Sequence, residues 1–230
     1  MKPIQAMLKL HYINGRFGFI IFWSIYLSIF ALSTVLLYRF GDTSTTVSGG
    51  TIALFIFVFV SGIVSLKETF PYTLGMNLRR VDYMISIILA FISLSVCMGI
   101  VNLIMSFIEL WIVNKLDVDL AFFSLARSMN LGLTRVEELL INFSGLLQFS
   151  ALGFLIAAIA SRLKKNGMFI VGGAGFLVIT LTPDEIWGSV YKTIIHLSNS
   201  VAGFALWVTL LSILWFCLSY LLIRRMTVAD

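Results

Sequence analysis

Charge is scarce in this sequence. Asp, Glu, Lys and Arg make up 12% of its 230 residues, where a soluble domain of this length carries about a quarter. With 60% hydrophobic residues and 20 phenylalanines, too little polar surface remains to cover a water-exposed globule. The apolar surface has to face lipid. Cysteine is nearly absent as well. Cys97 and Cys217 each lie deep in an apolar run with no second ligand at metal spacing, and read as small hydrophobes rather than as a disulfide or metal pair. Histidine is equally scarce: His11 and His196 fall on opposite sides of the membrane in the topology that the loops imply, so they cannot share a metal. No G-x-x-x-x-G-K-S/T run occurs. The chain therefore has no Walker A loop and no cofactor site of its own to expect, and any ATP chemistry, with its Mg, belongs to a partner.

What is present is a series of apolar stretches: Phe17–Tyr38, Thr51–Leu66, Val81–Val113, Leu139–Ser161, Met168–Leu181 and Val201–Ile223. The first has 22 residues, too many for the apolar core of a cleavable signal peptide and enough to cross a hydrocarbon core about 30 Å thick. The second and fifth are short, and the third exceeds what a bilayer needs, so it tilts or projects into water. The pattern predicts an all-α polytopic membrane protein with six transmembrane helices in one domain. Residues 1–16 form a short amphipathic helix in the interface, or merely a basic leader.

The net charge of +5 does not point to nucleic acid, because the cations cluster between the apolar stretches. Lys2, Lys9, Arg16, Lys67, Arg79, Arg80, Arg162, Lys164, Lys165, Arg224 and Arg225 all fall on one side, with Glu68, Asp82 and Asp230 the only acids there. The positive-inside rule makes that side, and both termini, cytoplasmic. The opposite side includes Asn114–Glu138, which mixes charges with Phe122, Phe123 and Leu125 and could hold an amphipathic helix on the outer leaflet. Glu109, four residues from the outer end of its stretch, is expected to reach the headgroups.

Enzyme chemistry finds no foothold. Glu137-Glu138 opens a span, as the acids of glutamate-dependent membrane proteases do, but no arginine follows soon after and no membrane histidine matches. A proton- or sodium-coupled carrier needs ionisable groups near the midplane, where this sequence offers only amides such as Asn102, Asn142 and Gln148. An immunity or scaffold protein without transport stays open. Gly172, Gly173 and Gly175 suit a helix-packing seam, and Phe55, Phe57, Phe59, Phe91 and Phe107 would give any cavity an apolar wall.

The link between the second and third stretches, residues 67–80, carries the most pattern. Thr69 can cap a helix and Pro71 suits its first turn. Phe70, Leu74 and Leu78 lie four apart on one stripe, and Gly75 weakens the helix by about 1 kcal/mol relative to alanine. Such a helix could dock in a partner's groove, or it could be an ordinary loop whose arginines enforce topology. The run Glu68-Thr69-Phe70-Pro71-x-x-Leu74-Gly75-x-x-x-Arg79-Arg80-x-Asp82-Tyr83 resembles the segment after the second span of small bacterial ABC-2 type permeases, the membrane subunits of type II ABC exporters. The likeness is greatest to the group exporting phenol-soluble modulins and antimicrobial peptides.

The resemblance implies a coupling helix over Glu68–Arg80, Tyr72 included, that contacts a cytosolic ATPase. It further implies two such ATPase subunits, a second permease copy or paralogue, and a place in the bacterial cell membrane. It also implies that residues 182–200, with Pro183, Trp187 and Tyr191, form re-entrant helices closing an outer gate. The residues alone read equally as a surface loop with an interfacial Trp187 and Tyr191 belt.

Overall fold

The computed structural model describes residues 3–40, 47–75, 79–116, 120–124, 127, 133–163, 167 and 200–224, the side chain of Leu74 excepted. They form five helices and one two-stranded pair: α1 (Pro3–Phe40), β1 (Val47–Ser48), α2 (Gly50–Gly75), α3 (Arg80–Leu116), β2 (Leu120–Ala121), α4 (Arg135–Arg162) and α5 (Val201–Ile223). The chain is all-helical in class, and all five helices are long and apolar enough to cross a membrane. The expected span at 168–181 and residues 182–199 of the segment 182–200 lie outside the described residues, and so do Lys164, Lys165 and Arg225.

Several boundaries differ from expectation. α1 is one uninterrupted helix, about 57 Å long at 1.5 Å per residue, so the expected interface helix over residues 1–16 is continuous with the first span. α2 does not stop near Leu66 but continues to Gly75. α3 runs past Val113 and ends at Leu116, and α4 begins at Arg135 rather than Leu139. α5 matches its expected limits.

Local chemistry explains the ends. Thr134 caps α4 through a reciprocal box: its hydroxyl accepts from the Glu137 amide, and the Glu137 carboxylate accepts from the Thr134 amide at 2.8 Å. Ser200 caps α5 by accepting from Gly203 N at 3.1 Å. Gly49 sits at a φ of +98° just before α2, a left-handed conformation that glycine adopts without a Cβ penalty.

Two opposite ends are defined by contact. At one, which carries exposed cations, Arg162 Nη2 donates to Leu222 O at 2.8 Å and Arg80 Nη1 donates to Ile223 O at 3.1 Å and also to Arg224 O. Two guanidiniums from α3 and α4 thus satisfy the carbonyls left free at the C-terminus of α5, where positive charge is favoured. α4 and α5 consequently end together and run parallel. α2 and α4 run parallel as well, since Phe55 meets Gly145 and Phe59 meets Gly153. At the other end, β1 and β2 pair in parallel, Val47 with Leu120 and Ser48 with Ala121.

α4 is the central helix. Its seam with α2 runs backbone on backbone: a Cβ added to Gly62 would come 2.5 Å from Ser150 O, and one added to Gly153 would overlap Phe59 O. Small residues at such seams permit the close approach that drives helix association in lipid. The core divides into two clusters. The cluster at the basic end joins Met7, Leu66, Phe70, Tyr83, Phe91, Phe154, Phe216 and Ile223. The one at the strand end joins Trp23, Tyr26, Phe30, Leu54, Met98, Phe122 and Phe123. Phe55 stacks on Phe149, Phe57 on Phe22, and Phe91 on Phe216. These rings pack between helices of one chain, while Phe107 is half exposed and lies beneath Arg135.

Candidate functional site

At the basic end the sequence-predicted coupling residues occupy the last turns of α2 and the start of α3. Thr69 is not a cap: its hydroxyl donates back to Ser65 O at 2.6 Å, as a mid-helix threonine does. Pro71 is not in a first turn but inside α2. The Lys67 carbonyl that Pro71 cannot bond lies on an exposed side of the helix, where water can take it. One face of this extension, with Thr69, Phe70 and Thr73, is buried. Its other face, with Lys67, Glu68, Pro71 and Tyr72, is exposed. Arg79 is exposed and Arg80 is half-buried against α5, so the two arginines differ in role. Leu78 lies outside the described residues, as do Pro183, Trp187 and Tyr191.

The buried face is tied to Tyr83, which is fully buried. Its hydroxyl lies 3.1 Å from Thr69 Oγ1. Because Thr69 already donates to Ser65, Tyr83 is the donor in this bond. The Tyr83 ring also meets Phe70 at 5.6 Å, His11 at 6.2 Å and Phe154 at 6.5 Å. Elements α1, α2 and α4 therefore converge on a single side chain of α3, directly behind the exposed strip at Glu68.

The strand end holds a second constellation, which sequence reasoning missed. Residues Leu120–Ser124 turn back into the bundle and are buried. They are neither an amphipathic helix nor a surface loop. Glu109 does not reach outward to headgroups: it is 0% exposed, and its Oε1 accepts from Phe122 N at 3.1 Å while Oε2 accepts from Phe123 N at 2.7 Å. Arg127 Nη1 stands 3.5 Å from Oε1. The carbonyl of Phe123 accepts from Asn102 Nδ2 at 3.0 Å and Thr51 Oγ1 at 3.1 Å, and Thr51 also reaches Phe122 O at 3.4 Å. Each backbone polar group of the Phe122-Phe123 pair thus meets a side chain, as irregular backbone at this depth requires. Beside it, Ser124 Oγ donates to Glu138 Oε1 at 2.7 Å, and Arg135 Nη1 pairs with Glu138 Oε2 at 3.0 Å.

The two phenyl rings enter an aromatic box on α1. Phe122 lies 5.0 Å from Tyr26 and 5.7 Å from Phe30; Phe123 lies 5.2 Å and 4.7 Å from the same rings. Gly50 makes room for this approach, since an added Cβ would fall 2.6 Å from Phe122 O. One signal for this site exists in the sequence. Ser95, Asn102, Ser106 and Glu109 share one helical face, and a polar stripe on an otherwise apolar span marks the side turned away from lipid.

Among the described residues no group of three or more His, Cys, Asp or Glu side chains gathers as a metal site. No family model, no curated protein and no solved structure matches the chain.

Proposed function

We propose that the chain is the permease subunit of an ATP-driven exporter in the bacterial cell membrane, moving an amphipathic or hydrophobic cargo, a peptide foremost, out of the cell. The observation that carries this reading is the α2 extension. It presents Lys67, Glu68 and Tyr72 to solvent, with Arg79 exposed just before α3, while its back is joined through Thr69 and Phe70 to Tyr83. A push on the exposed strip is passed to α1, α3 and α4 at once, which is what a docking point for a motor subunit needs. Two cytosolic ATPase subunits supply the ATP and Mg, and a second copy or paralogue of this permease completes the pathway.

The cation-rich end is cytoplasmic in this reading. α4 and α5 run parallel, so the chain between them must return from the basic end to the strand end. A sixth span at 168–181 accomplishes that, and both termini then lie inside.

One observation favours an ion-coupled carrier instead: a carboxylate, Glu109, is buried in an apolar helix. Against it, both carboxylate oxygens are engaged by the amides of Phe122 and Phe123, with Arg127 adjacent. In this state Glu109 holds backbone rather than an ion. Reconstitution in liposomes separates the two readings. ATP-dependent cargo movement only when an ATPase partner is present is the expected result; uptake driven by an ion gradient alone would overturn it.

A further inference from the structure

The Phe122-Phe123 segment is bound the way a protein binds a foreign peptide. The two residues before it pair with β1, and the Phe122-Phe123 bend then aims both amide N–H groups at one carboxylate, both carbonyls at side-chain donors, and both rings into an aromatic box. Backbone hydrogen bonds supply affinity in this mode and side-chain pockets supply selectivity. Within the box, Trp23 Nε1 and the Tyr26 hydroxyl are buried with no hydrogen-bond partner among the described residues. The walls therefore offer two more donors than the resident segment uses.

We propose that Leu120–Ser124 is a built-in stand-in for cargo, seated in a site at the strand end that takes short peptide segments that bend at adjacent aromatic residues. This deepens the export reading and rests on it for the word cargo; the binding chemistry itself does not. Glu109 reads two successive N–H groups, Asn102 and Thr51 read the following carbonyls, and Tyr26 and Phe30 select rings. A peptide that reproduces these groups displaces the segment, and the segment returns when the peptide leaves.

The test uses the full chain in detergent, with no ATPase and no transport step, so its outcome is independent of whether the export reading holds. A fluorescent, end-blocked Leu-Ala-Phe-Phe-Ser peptide is titrated against the wild type and against a Phe122→Ala/Phe123→Ala variant, with anisotropy as readout. The vacated box is expected to bind the peptide about tenfold or more tighter than the wild type. Adding Glu109→Ala, or methylating both Phe amides of the peptide, is expected to abolish the gain. Equal affinity for wild type and variant, or a gain indifferent to Glu109 and to amide methylation, overturns the proposal.

Should the double variant not fold, an Ala121→Cys chain with Cys97→Ser and Cys217→Ser serves instead. Ala121 is 4% exposed, so its thiol should react slowly with maleimide, and faster once the peptide displaces the segment. A reaction rate unchanged by saturating peptide contradicts displacement.

Discussion

The phenol of Tyr83 donates to the hydroxyl of Thr69 across 3.1 Å, and this bond fastens the end of α2 to the beginning of α3. Tyr83→Phe removes the donor but leaves Thr69 bonded to Ser65, so it should cost about 1 kcal/mol. Thr69→Ala instead strands a buried phenol and should cost more, about 1–3 kcal/mol. Thermal unfolding of the two variants in detergent should show that order.

The glycine seam is expected to tolerate no side chain. A methyl at Gly153 would overlap Phe59 O, and α2 and α4 would have to separate. Gly153→Ala should lower stability by about 1–3 kcal/mol, the usual range for overpacking. Gly18→Ala, where no other atom lies within 4 Å, should be neutral or slightly stabilising in its helix.

Glu109→Gln tests the clamp on the buried segment. The amide can accept from one of the Phe122 and Phe123 N–H groups, but its own NH2 then faces the other. A loss of about 2–4 kcal/mol follows from one unmade bond and the unpaired Arg127. Unfolding midpoints compared with an Ile104→Val control, on the exposed face of the same helix, would measure it.

The neighbours Arg79 and Arg80 should separate by function. Arg80 caps α5, so Arg80→Ala should cost about 1 kcal/mol of stability. Arg79 is exposed, so Arg79→Glu should leave the unfolding midpoint unchanged and weaken stimulation of the proposed ATPase partner.

The long apolar helices were legible because an apolar run of bilayer length is stable in little besides lipid, and α5 falls where hydropathy put it. The continuation of α2 past Leu66 was not legible, because Thr69 and Pro71 are helix-start residues by preference. What overrides that preference is the burial of Thr69, Phe70 and Thr73 against α3, a tertiary effect. The clamped segment was hidden for a related reason. Phe122 and Phe123 sit among charges in a linking stretch, and their partners Glu109, Asn102 and Thr51 are 13 to 72 positions away in sequence. Only the polar stripe on α3 pointed toward it. The residues proposed for coupling were singled out through a motif, whereas the split between exposed Glu68 and Arg79 and half-buried Arg80 needed three dimensions.

The central claim is that power enters through the exposed strip at the end of α2. Purifying the tagged chain from its native membranes in mild detergent, and assaying ATP hydrolysis in that sample, tests this most directly. A vanadate-sensitive ATPase should accompany the wild type and be lost from a Glu68→Lys/Arg79→Glu variant of equal yield and stability. Full hydrolysis retained by that variant, or cargo export by a wild type that carries no ATPase, would contradict the account.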